Sequence, residues 1–403
     1  MAKKVRIGVV GVGGMGQGHC DYLGPGKLDV AELTAVCDIA PAVAGEVGEK
    51  WGVPHFKKHT DLLDSGLVDA ILIATPHYFH PAIAIDAFKR GIHALSEKPI
   101  GVTIKPVNQM IRAAERSKCV FAVMFQLRHA PEYQAAKKLL DEGQIGEIRR
   151  VNLIIAYYRS QAYYDSGGWR ATWKGEGGGV LLNQAPHMLD IFTWLTGRPK
   201  TVTGQTRIRM HDIEVEDEAF AFLEYPNGAH GYVYASVNDT PQVTRLEICG
   251  DKGKILIEST DWREEGLLFW KVEPSLSKFT VENKSMWAAP ESERVPIPLE
   301  KREQGHIAVT RNFCRAILFK EPLITPGAEG IYSLELADAM ILSSYRKKTV
   351  KLPLNANEYE ELMAELVRKS KTKKVVAEQR ITDTQFTKEK AATKKVAKKK
   401  ARK

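Results

Sequence analysis

The sequence predicts an α/β protein with two domains: a doubly wound parallel sheet, followed by an α+β domain with a large, open, mainly antiparallel sheet. Two patterns lead to this prediction. Over the first third of the chain, short apolar runs alternate with helical stretches, as in sheets whose parallel strands are joined by helices. Longer alternating runs then follow, separated by hairpin signals such as Pro226-Asn227-Gly228. We place the first domain at residues 1–127, the second at 128–367 and a basic tail at 368–403.

The first apolar run, residues 5–10, leads into a glycine-rich turn. Gly11, Gly13 and Gly16 have the GxGxxG spacing of dinucleotide-binding turns. In such turns the glycines allow a tight bend, close approach of the backbone to a pyrophosphate, and close packing of the next helix. Gly14 and Met15 begin that helix, whose N–H groups and dipole attract phosphate. We therefore predict that these five residues bind a dinucleotide, which makes the first domain a Rossmann domain.

The second strand ends on Asp38, 22 residues after Gly16. A carboxylate about 20 residues beyond the turn binds the adenosine ribose hydroxyls of NAD. The alternative role for this acid is to cap the helix that starts at Pro41. Ile39 and Ala40 follow, and neither side chain binds a 2′-phosphate. The sequence favours NAD, with NADP as the alternative if an Arg comes from elsewhere.

Two further strands end in polar residues. Ligands bind at the carboxyl ends of parallel strands, so these residues are expected at the same sheet edge as the glycine turn. They are Thr75, Pro76, His77 and His80 after one strand, and Glu97 and Lys98 after the next. We predict that all six contact the cofactor, although the two histidines have either a structural role or a place in the cofactor wall.

The second half of the chain predicts a helix over residues 131–141, another over about 180–195, and long strands between 147 and 257. Such a sheet has helices on one face and must cover the other. A second copy of the chain is the simplest cover, so we expect a homodimer or homotetramer formed through the open sheet.

Composition excludes several classes of protein. The chain is 44% hydrophobic and 27% charged, and no apolar run reaches the length of a membrane span. Five scattered cysteines predict neither a disulfide framework nor a metal site and favour a reducing, cytoplasmic compartment. Residues 368–403 hold 15 Lys/Arg and 3 Asp/Glu, so the net charge of this segment is +12. Because the net charge of the whole chain is +9, the other 367 residues have a net charge of −3. We expect this tail to be disordered and solubilising, or to contact polyanions non-specifically.

Taken together, the motifs resemble those of the Gfo/Idh/MocA family (glucose–fructose oxidoreductase, inositol dehydrogenase and rhizopine catabolism). The matching residues are Gly11-x-Gly13-x-x-Gly16, Asp38, Ala74-Thr75-Pro76 with His80, Glu97-Lys98-Pro99, and Gly177-Gly178-Gly179-Val180-Leu181-Leu182-Asn183-Gln184-x-x-His187-x-x-Asp190. The likeness runs from about residue 5 to 355. It implies a Rossmann domain joined to an open-sheet domain, dependence on NAD(P), carbohydrate-like or polyol substrates, and a cis turn at Lys98-Pro99.

Three residues carry the predicted chemistry. Lys98 directly follows a strand end, so its ammonium can stabilise an alkoxide that develops beside the nicotinamide. His187 lies four residues after Asn183, which puts both on one face of a helix, and histidine is the natural proton acceptor near neutral pH. The resemblance implies Asp in many relatives where this chain has Asn183. Because an amide cannot titrate, we predict that Asn183 holds substrate hydroxyls or His187.

A cluster of aromatic and basic residues precedes the glycine run. Aromatic rings stack on sugar faces and Arg binds hydroxyls or carboxylates, although domain packing explains the same pattern. The predicted substrate contacts are Arg128, Tyr164, Trp169, Arg170, Asn183 and His187.

The predicted function is an NAD-dependent oxidoreductase that transfers hydride between nicotinamide and a secondary alcohol of a sugar, sugar derivative or cyclitol. One alternative uses the same machinery in an NAD-dependent glycosidase or lyase, through transient oxidation of a ring hydroxyl. A second alternative, an NAD-binding regulator without enzymatic activity, is disfavoured because both Lys98 and His187 are present.

Overall fold

The computed structural model describes residues 3–24, 26–261 and 263–371. Within these residues the chain forms two sheets. The first sheet has six strands, and every neighbouring pair is parallel. Its strands are β1 (Val5–Val10), β2 (Ala31–Cys37), β3 (His55–Phe56), β4 (Ala70–Ile73), β5 (His93–Ser96) and β6 (Phe121–Val123), in the spatial order β3-β2-β1-β4-β5-β6.

Helices alternate with these strands, which confirms the predicted doubly wound sheet. The order reverses beside β1, so the crevice at its carboxyl end is where such sheets bind ligands. The central strand β4 is buried along its whole length, as an apolar strand covered on both faces must be. The helices are α1 (Gly14–Leu23), α2 (Pro41–Trp51), α3 (His59–Asp64), α4 (His80–Phe88) and α5 (Ile104–Ser117).

The second sheet is mixed and mainly antiparallel; among its described strands, only β7 and β10 pair in parallel. Its strands are β7 (Ile148–Tyr158), β8 (Thr201–Arg207), β9 (Glu218–Glu224), β10 (His230–Ser236), β11 (Asn238–Gly250), β12 (Gly253–Thr260), β13 (Arg263–Glu273), β14 (Glu291–Val295) and β15 (Val350–Lys351). Their spatial order is β14-β13-β12-β11-β7-β10-β9-β8-β15. The sequence predicts the middle of this sheet but not its outer strands β13, β14 and β15.

The remaining helices are α6 (Pro131–Asp141), α7 (Gln161–Tyr164), α8 (Pro186–Thr196), α9 (Leu276–Glu282), α10 (Gly305–Phe319), α11 (Gly330–Arg346) and α12 (Ala356–Lys369). Helices α8 and α11 cover one face of the second sheet. On β9, Ala221 is buried on the covered face, whereas Phe222 is 63% exposed on the other. The sheet therefore has the open face that the sequence predicts.

Helix α10 belongs to the second half of the chain but packs on the first sheet. Its residues Val309, Phe313 and Cys314 are buried in the cluster that contains Ile7 and Val9 of β1. Helix α10 therefore places residues of the region 128–367 against the first sheet, which is the sheet predicted to bind the cofactor.

At the C-terminal end, α12 includes Arg368 and Lys369, which the sequence analysis assigned to the tail. The backbone N–H of Lys371 donates to Glu214. The rest of the predicted tail, residues 372–403, lies outside the described residues. None of the described helices has the length and apolar character needed to cross a membrane.

Candidate functional site

The glycine turn after β1 has the geometry of a phosphate cradle. Gly11 has φ +87°, and a Cβ there would lie 2.8 Å from the backbone of Ala74 and Thr75. A Cβ on Gly16 would lie 1.9 Å from the Gly11 carbonyl oxygen. A Cβ on Gly13 would meet no described atom within 4 Å, so open space faces this residue.

Helix α1 begins at Gly14, and no side chain caps its first N–H groups. Met15 lies in the same first turn, where no acidic residue opposes an anion. These free donors and the open space beside Gly13 fit the pyrophosphate of a dinucleotide.

Asp38 lies at the end of β2 beside this turn. Its Oδ2 accepts a hydrogen bond from the N–H of Val12 at 3.0 Å, and its Oδ1 accepts one from Ala40 at 2.9 Å. The carboxylate thus braces the glycine turn and the start of the next helix while staying partly exposed. Next to it, Ile39 is 84% exposed and offers no charge to a 2′-phosphate. This edge fits the ribose of NAD.

Thr75 and Pro76 lie at the end of β4, against the glycine turn. The Thr75 hydroxyl is buried, and no described atom is its hydrogen-bond partner. It is therefore a polar group that a bound cofactor can satisfy.

The two histidines after β4 make structural contacts with the backbone. His80 is fully buried, and its Nδ1 and Nε2 lie 2.9 and 2.7 Å from the carbonyl oxygens of Pro99 and Thr75. Burial lowers the pKa of His80, and the neutral ring has one N–H, which it donates to one of these two carbonyl oxygens. With both ring nitrogens facing the backbone, His80 ties two turns together. His77 is also buried, with Nδ1 3.3 Å from the carbonyl oxygen of Glu176. It forms part of the contact with the second half of the chain.

Glu97 joins the turn after β5 to helix α1. Its Oε1 lies 2.8 Å from Nε2 of His19, and its Oε2 accepts a hydrogen bond from the N–H of Lys98 at 3.1 Å. Burial alone raises the pKa of Glu97, but the bond and charge of His19 lower it to about 2. The other ring nitrogen of His19, Nδ1, lies 2.7 Å from the hydroxyl oxygen of Tyr22. Glu97 therefore holds the Lys98 turn in place and is not free to bind a ligand with Oε1.

Lys98 projects from this turn toward the second half of the chain. Its Nζ donates to the backbone carbonyl oxygen of Asn183 at 3.2 Å. Burial lowers the pKa of Lys98, and the carboxylates of Glu97 and Glu176 oppose that effect. The Lys98-Pro99 peptide bond is cis, as the family resemblance implies. A cation from the cofactor edge thus reaches the loop that carries the predicted substrate residues.

The predicted helix over residues 180–195 begins later than expected. Helix α8 starts at Pro186, and Asn183 lies in a tight turn in which its N–H donates to the carbonyl oxygen of Gly179 at 3.0 Å. Proline has no N–H and restricts the residue before it, so it starts a helix more readily than it continues one. Asn183 and His187 are therefore not on one helix face, which corrects that prediction.

Glycines allow this turn to lie against its neighbours. Gly177 has φ +86°, and a Cβ there would come within 2.2 Å of Val102. A Cβ on Gly179 would lie 1.8 Å from the carbonyl oxygen of Glu216. The Glu216 carboxylate accepts hydrogen bonds from the N–H groups of Gly179 and Leu181 at 2.9 and 3.1 Å. Burial raises the pKa of this carboxylate to about 7.

His187 lies in the first turn of α8, facing the end of β6. Its Nε2 is 3.2 Å from the side-chain nitrogen of Gln126, a residue that the sequence analysis does not single out. An amide N–H at that nitrogen makes Nε2 the acceptor and leaves the proton of the neutral ring on Nδ1. Burial and the charge of Lys98 keep the pKa of His187 well below its ordinary value of 6.5. The ring is therefore neutral and able to accept a proton.

The side chain of Asn183 contacts a buried acid rather than His187. Its Nδ2 donates to Oε1 of Glu176, which is 1% exposed, and its Oδ1 accepts a hydrogen bond from the Tyr163 hydroxyl at 3.2 Å. Arg170 donates to the same hydroxyl at 2.8 Å and lies over the rings of Tyr163 and Trp169 at 4.6 and 4.7 Å. Trp169 and Arg170 thus lie in the site, as predicted substrate contacts would.

Two predicted substrate residues lie elsewhere. Tyr164 is 1% exposed and packs on His211, with 4.8 Å between the ring centres. Consecutive residues of helix α7 point in different directions, so Tyr163 and Tyr164 have different surroundings. Tyr163 is the one that reaches the site. Arg128 is 1% exposed and binds Asp190 through Nε and Nη2 at 2.8 and 2.7 Å. Arg128 is therefore a structural cross-link, because its buried guanidinium is bound by Asp190 and Glu329.

His19, Gln126, Glu176 and Glu216 are among the polar residues of this region that the sequence does not single out. His19 has a weak signal, since it lies on the buried face of α1 with otherwise small or apolar neighbours. Glu176 stands between two glycines, a pattern with no distinctive meaning. Within the described residues, no group of three or more His, Cys, Asp or Glu could hold a metal ion.

Comparison with protein families identifies both halves of the chain. Residues 5–125 match the oxidoreductase family with an NAD-binding Rossmann fold. Residues 133–256 match the GFO/IDH/MocA C-terminal domain.

Two curated relatives and one solved structure illustrate the likeness. The scyllo-inositol 2-dehydrogenase (NAD(+)) of Bacillus subtilis is 30% identical over 268 residues, which are 64% of this chain and 75% of that protein. The rhizopine catabolism protein MocA of Rhizobium meliloti is 32% identical over 199 residues, 49% of this chain and 59% of that protein, so the match spans less than two thirds of MocA. The WlbA dehydrogenase of Bordetella pertussis, solved with NADH and UDP-GlcNAcA, has a TM-score of 0.74 at 27% identity, covering 88% of this chain and 100% of that one. The chain belongs to the Gfo/Idh/MocA family of oxidoreductases, and its first domain is an NAD-binding Rossmann domain.

Proposed function

We propose that this protein is an NAD-dependent oxidoreductase that transfers hydride between nicotinamide and a secondary alcohol of a sugar, sugar derivative or cyclitol. One observation carries the proposal. The ammonium of Lys98, at the cofactor edge of the first sheet, lies 3.2 Å from the carbonyl oxygen of Asn183, in the loop that leads to His187. A cation and a neutral imidazole thus belong to the same site, at the edge that fits NAD.

The cofactor, when bound, supplies the hydride acceptor or donor; the residues of the chain handle the oxygen and its proton. Lys98 stabilises negative charge on the carbinol oxygen, because a preorganised cation in a partly buried site acts strongly on developing charge. The hydroxyl proton is accepted by Nε2 of His187, the nitrogen to which the side-chain amide of Gln126 donates in the absence of substrate. A substrate hydroxyl that replaces the Gln126 donor reaches the same nitrogen.

The substrate side of the site favours a polyhydroxylated ligand. The rings of Tyr163 and Trp169 and the guanidinium of Arg170 form one stacked wall. Such a wall suits the apolar face of a sugar or cyclitol ring and the hydroxyl or carboxylate groups at its rim.

The proposal is tested by incubating the purified full-length chain with NAD⁺ or NADP⁺ and a panel of aldoses, sugar acids, inositols and anhydrosugars, while NADH absorbance is followed. Turnover with NAD⁺ and at least one member of the panel is the expected result. Mass spectrometry of the purified protein reports any nucleotide that co-purifies. Glycoside cleavage or elimination with retained NAD and no net NADH would support the glycosidase or lyase alternative instead.

We further propose that copies of the chain associate through the open face of the second sheet, in a reducing, cytoplasmic compartment. The exposed Phe222 lies against Tyr232 on that face, with 5.7 Å between ring centres, and an aromatic pair of this kind is typical of an interface. All five cysteines are free thiols, and three of them are buried, which supports a reducing environment. Light scattering of the wild type and Phe222→Lys tests the association, with a smaller species expected for the variant.

A further inference from the structure

Glu176 is a buried carboxylate beside the proposed catalytic residues. It is 1% exposed, yet both of its oxygens have donors: Oε2 accepts from the N–H of Ala171 at 2.6 Å, and Oε1 accepts from the side-chain amide of Asn183. Burial raises the pKa of Glu176 above its ordinary value, although the charge of Arg170 and these two donors oppose that effect. Two N–H donors match an ionised carboxylate, which only accepts hydrogen bonds.

Glu176 is the end of a directional hydrogen-bond chain. Arg170 donates to the Tyr163 hydroxyl at 2.8 Å, Tyr163 donates to Oδ1 of Asn183 at 3.2 Å, and Nδ2 of Asn183 donates to Glu176. A guanidinium can only donate and a carboxylate can only accept, so the two charged ends set the direction of every bond between them. The orientation of the Asn183 amide therefore follows from the chemistry of its neighbours.

The same asparagine holds Lys98. Its backbone carbonyl oxygen accepts a hydrogen bond from Lys98 Nζ at 3.2 Å, while its side chain is held by Glu176 and Tyr163. Glu176 and Tyr163 thus hold the residue whose backbone carbonyl oxygen receives the ammonium.

We propose that Glu176 is a positioning residue for the hydride-transfer reaction: its carboxylate orients the Asn183 amide and, through the Asn183 carbonyl, places the ammonium of Lys98. This inference rests on the proposed function, because it assigns Glu176 a part in the reaction proposed for that site. Glu176 itself binds neither substrate nor cofactor in this account.

The charge of Glu176 also acts on Lys98. The groups that face the Lys98 ammonium are the acids Glu97 and Glu176, the cations Arg159 and Arg170, and the imidazoles of His77, His80, His187 and His306. Because Glu97 is bonded to His19, Glu176 is the acid that lies on the Asn183 side. Removal of its charge favours deprotonation of Lys98. The basic limb of the activity profile should then move to lower pH.

Exchange of the carboxylate between two positions tests the proposal. In Glu176→Gln, an amide N–H faces the Asn183 amide N–H, so the donor–acceptor match is lost. In Asn183→Asp, two carboxylates meet in a buried site, and one of them must take a proton. In the double variant, the amide introduced at position 176 donates to the carboxylate introduced at position 183, and Tyr163 still has its acceptor. We expect kcat to fall about 10- to 100-fold in each single variant and to recover to within about threefold of the wild type in the double variant.

Further readouts separate positioning from a loss of folding. NADH affinity should stay within about twofold in all three variants, because the glycine turn is untouched. The remaining activity of Asn183→Asp should rise as the pH is lowered and the carboxylate pair takes up a proton. Glu214→Gln is the matched control. Glu214 accepts a hydrogen bond from the backbone N–H of Lys371 and is not part of the hydrogen-bond chain that ends on Glu176, so this variant should keep the wild-type kcat.

Wild-type kcat and pH profile in Glu176→Gln, or no recovery in the double variant, would overturn the proposal. If the wild type oxidises no member of the panel, the proposed function fails separately. The contact itself is then tested by thermal denaturation. Between pH 5 and pH 8, Asn183→Asp should lose more stability than the double variant, since its raised carboxyl pKa favours the protonated folded state. Glu216 is present in both variants, so its own pH dependence cancels in this comparison. Equal pH dependence in both variants would contradict it.

Discussion

The ammonium of Lys98 lies 3.2 Å from the backbone carbonyl oxygen of Asn183, 85 residues further along the chain. This bond joins the carboxyl edge of the parallel sheet to the loop that covers it. The turn on one side is held by Glu97 and His19, and the loop on the other side is held by Glu176 and Glu216. The proposed chemistry thus takes place between two elements that are each held by buried hydrogen bonds.

The open space at Gly13 is expected to hold the pyrophosphate. Gly13→Ala adds a methyl group that meets no protein atom within 4 Å, so the fold should be unchanged. The methyl should instead raise the Kd for NADH at least about tenfold, because backbone approach to the phosphates is lost. Isothermal calorimetry measures this. Gly18→Ala, inside the helix α1 that Gly13 precedes, also adds a methyl group that meets no atom within 4 Å; it is the control and should bind normally. Equal affinity in both variants would place the pyrophosphate elsewhere.

His187 is expected to be the proton acceptor. His187→Gln keeps a hydrogen-bonding side chain but cannot take the proton, so kcat should fall by about 10²–10⁴-fold with little change in NADH affinity. Because burial holds the pKa of His187 well below 6.5, the ring is neutral above that pH, and oxidation should show no loss of rate near pH 6.5. A wild-type profile that titrates at the ordinary histidine pKa would contradict this environment.

Arg128 is expected to stabilise the fold without binding substrate. Arg128→Met leaves the buried Asp190 without the guanidinium that it faces at 2.7 and 2.8 Å. Loss of one partner of a buried ion pair costs about 3–5 kcal/mol of unfolding free energy. Urea denaturation measures the loss, and KM of the folded fraction should not change. A raised KM at normal stability would return Arg128 to the substrate site.

Glu216 should make stability depend on pH. Its folded-state pKa of about 7 lies above the ordinary 4.5, so the folded state favours the protonated acid, and stability is lost as the pH rises from 4.5 through 7. This difference corresponds to about 3 kcal/mol. Glu216→Gln keeps an acceptor for Gly179 and Leu181 but does not ionise. Scanning calorimetry should show equal Tm values for wild type and variant at pH 4.5 and a higher Tm for the variant at pH 8. A variant that is less stable than the wild type at pH 8 would refute this account.

The cofactor half of the site is predictable because its signals are local. The spacing of Gly11, Gly13 and Gly16 and the position of Asp38 after a strand depend on backbone geometry within about 30 residues. The parallel sheet then brings Thr75 and Lys98 to the same edge, since all carboxyl ends of its strands lie together.

The other half depends on contacts between distant residues, which no local pattern reports. The pairing of Arg128 with Asp190 joins residues 62 positions apart, and without it a basic residue after a strand end resembles a ligand contact. Tyr163 and Tyr164 are equivalent in the sequence, and only the direction of helix α7 separates the one in the site from the one in the core. The helix start at Pro186 is different, because the proline is visible in the sequence and could have corrected the prediction.

The most direct test of the central claim is the turnover of Lys98→Met, measured as NADH formation with the best wild-type substrate and alongside NADH affinity. A methionine keeps much of the length and volume of the side chain but removes the charge that stabilises the alkoxide. We expect turnover to be abolished while the Kd for NADH stays close to that of the wild type. A variant that turns over at a near-wild-type rate would contradict the assignment of Lys98, and with it the proposed mechanism.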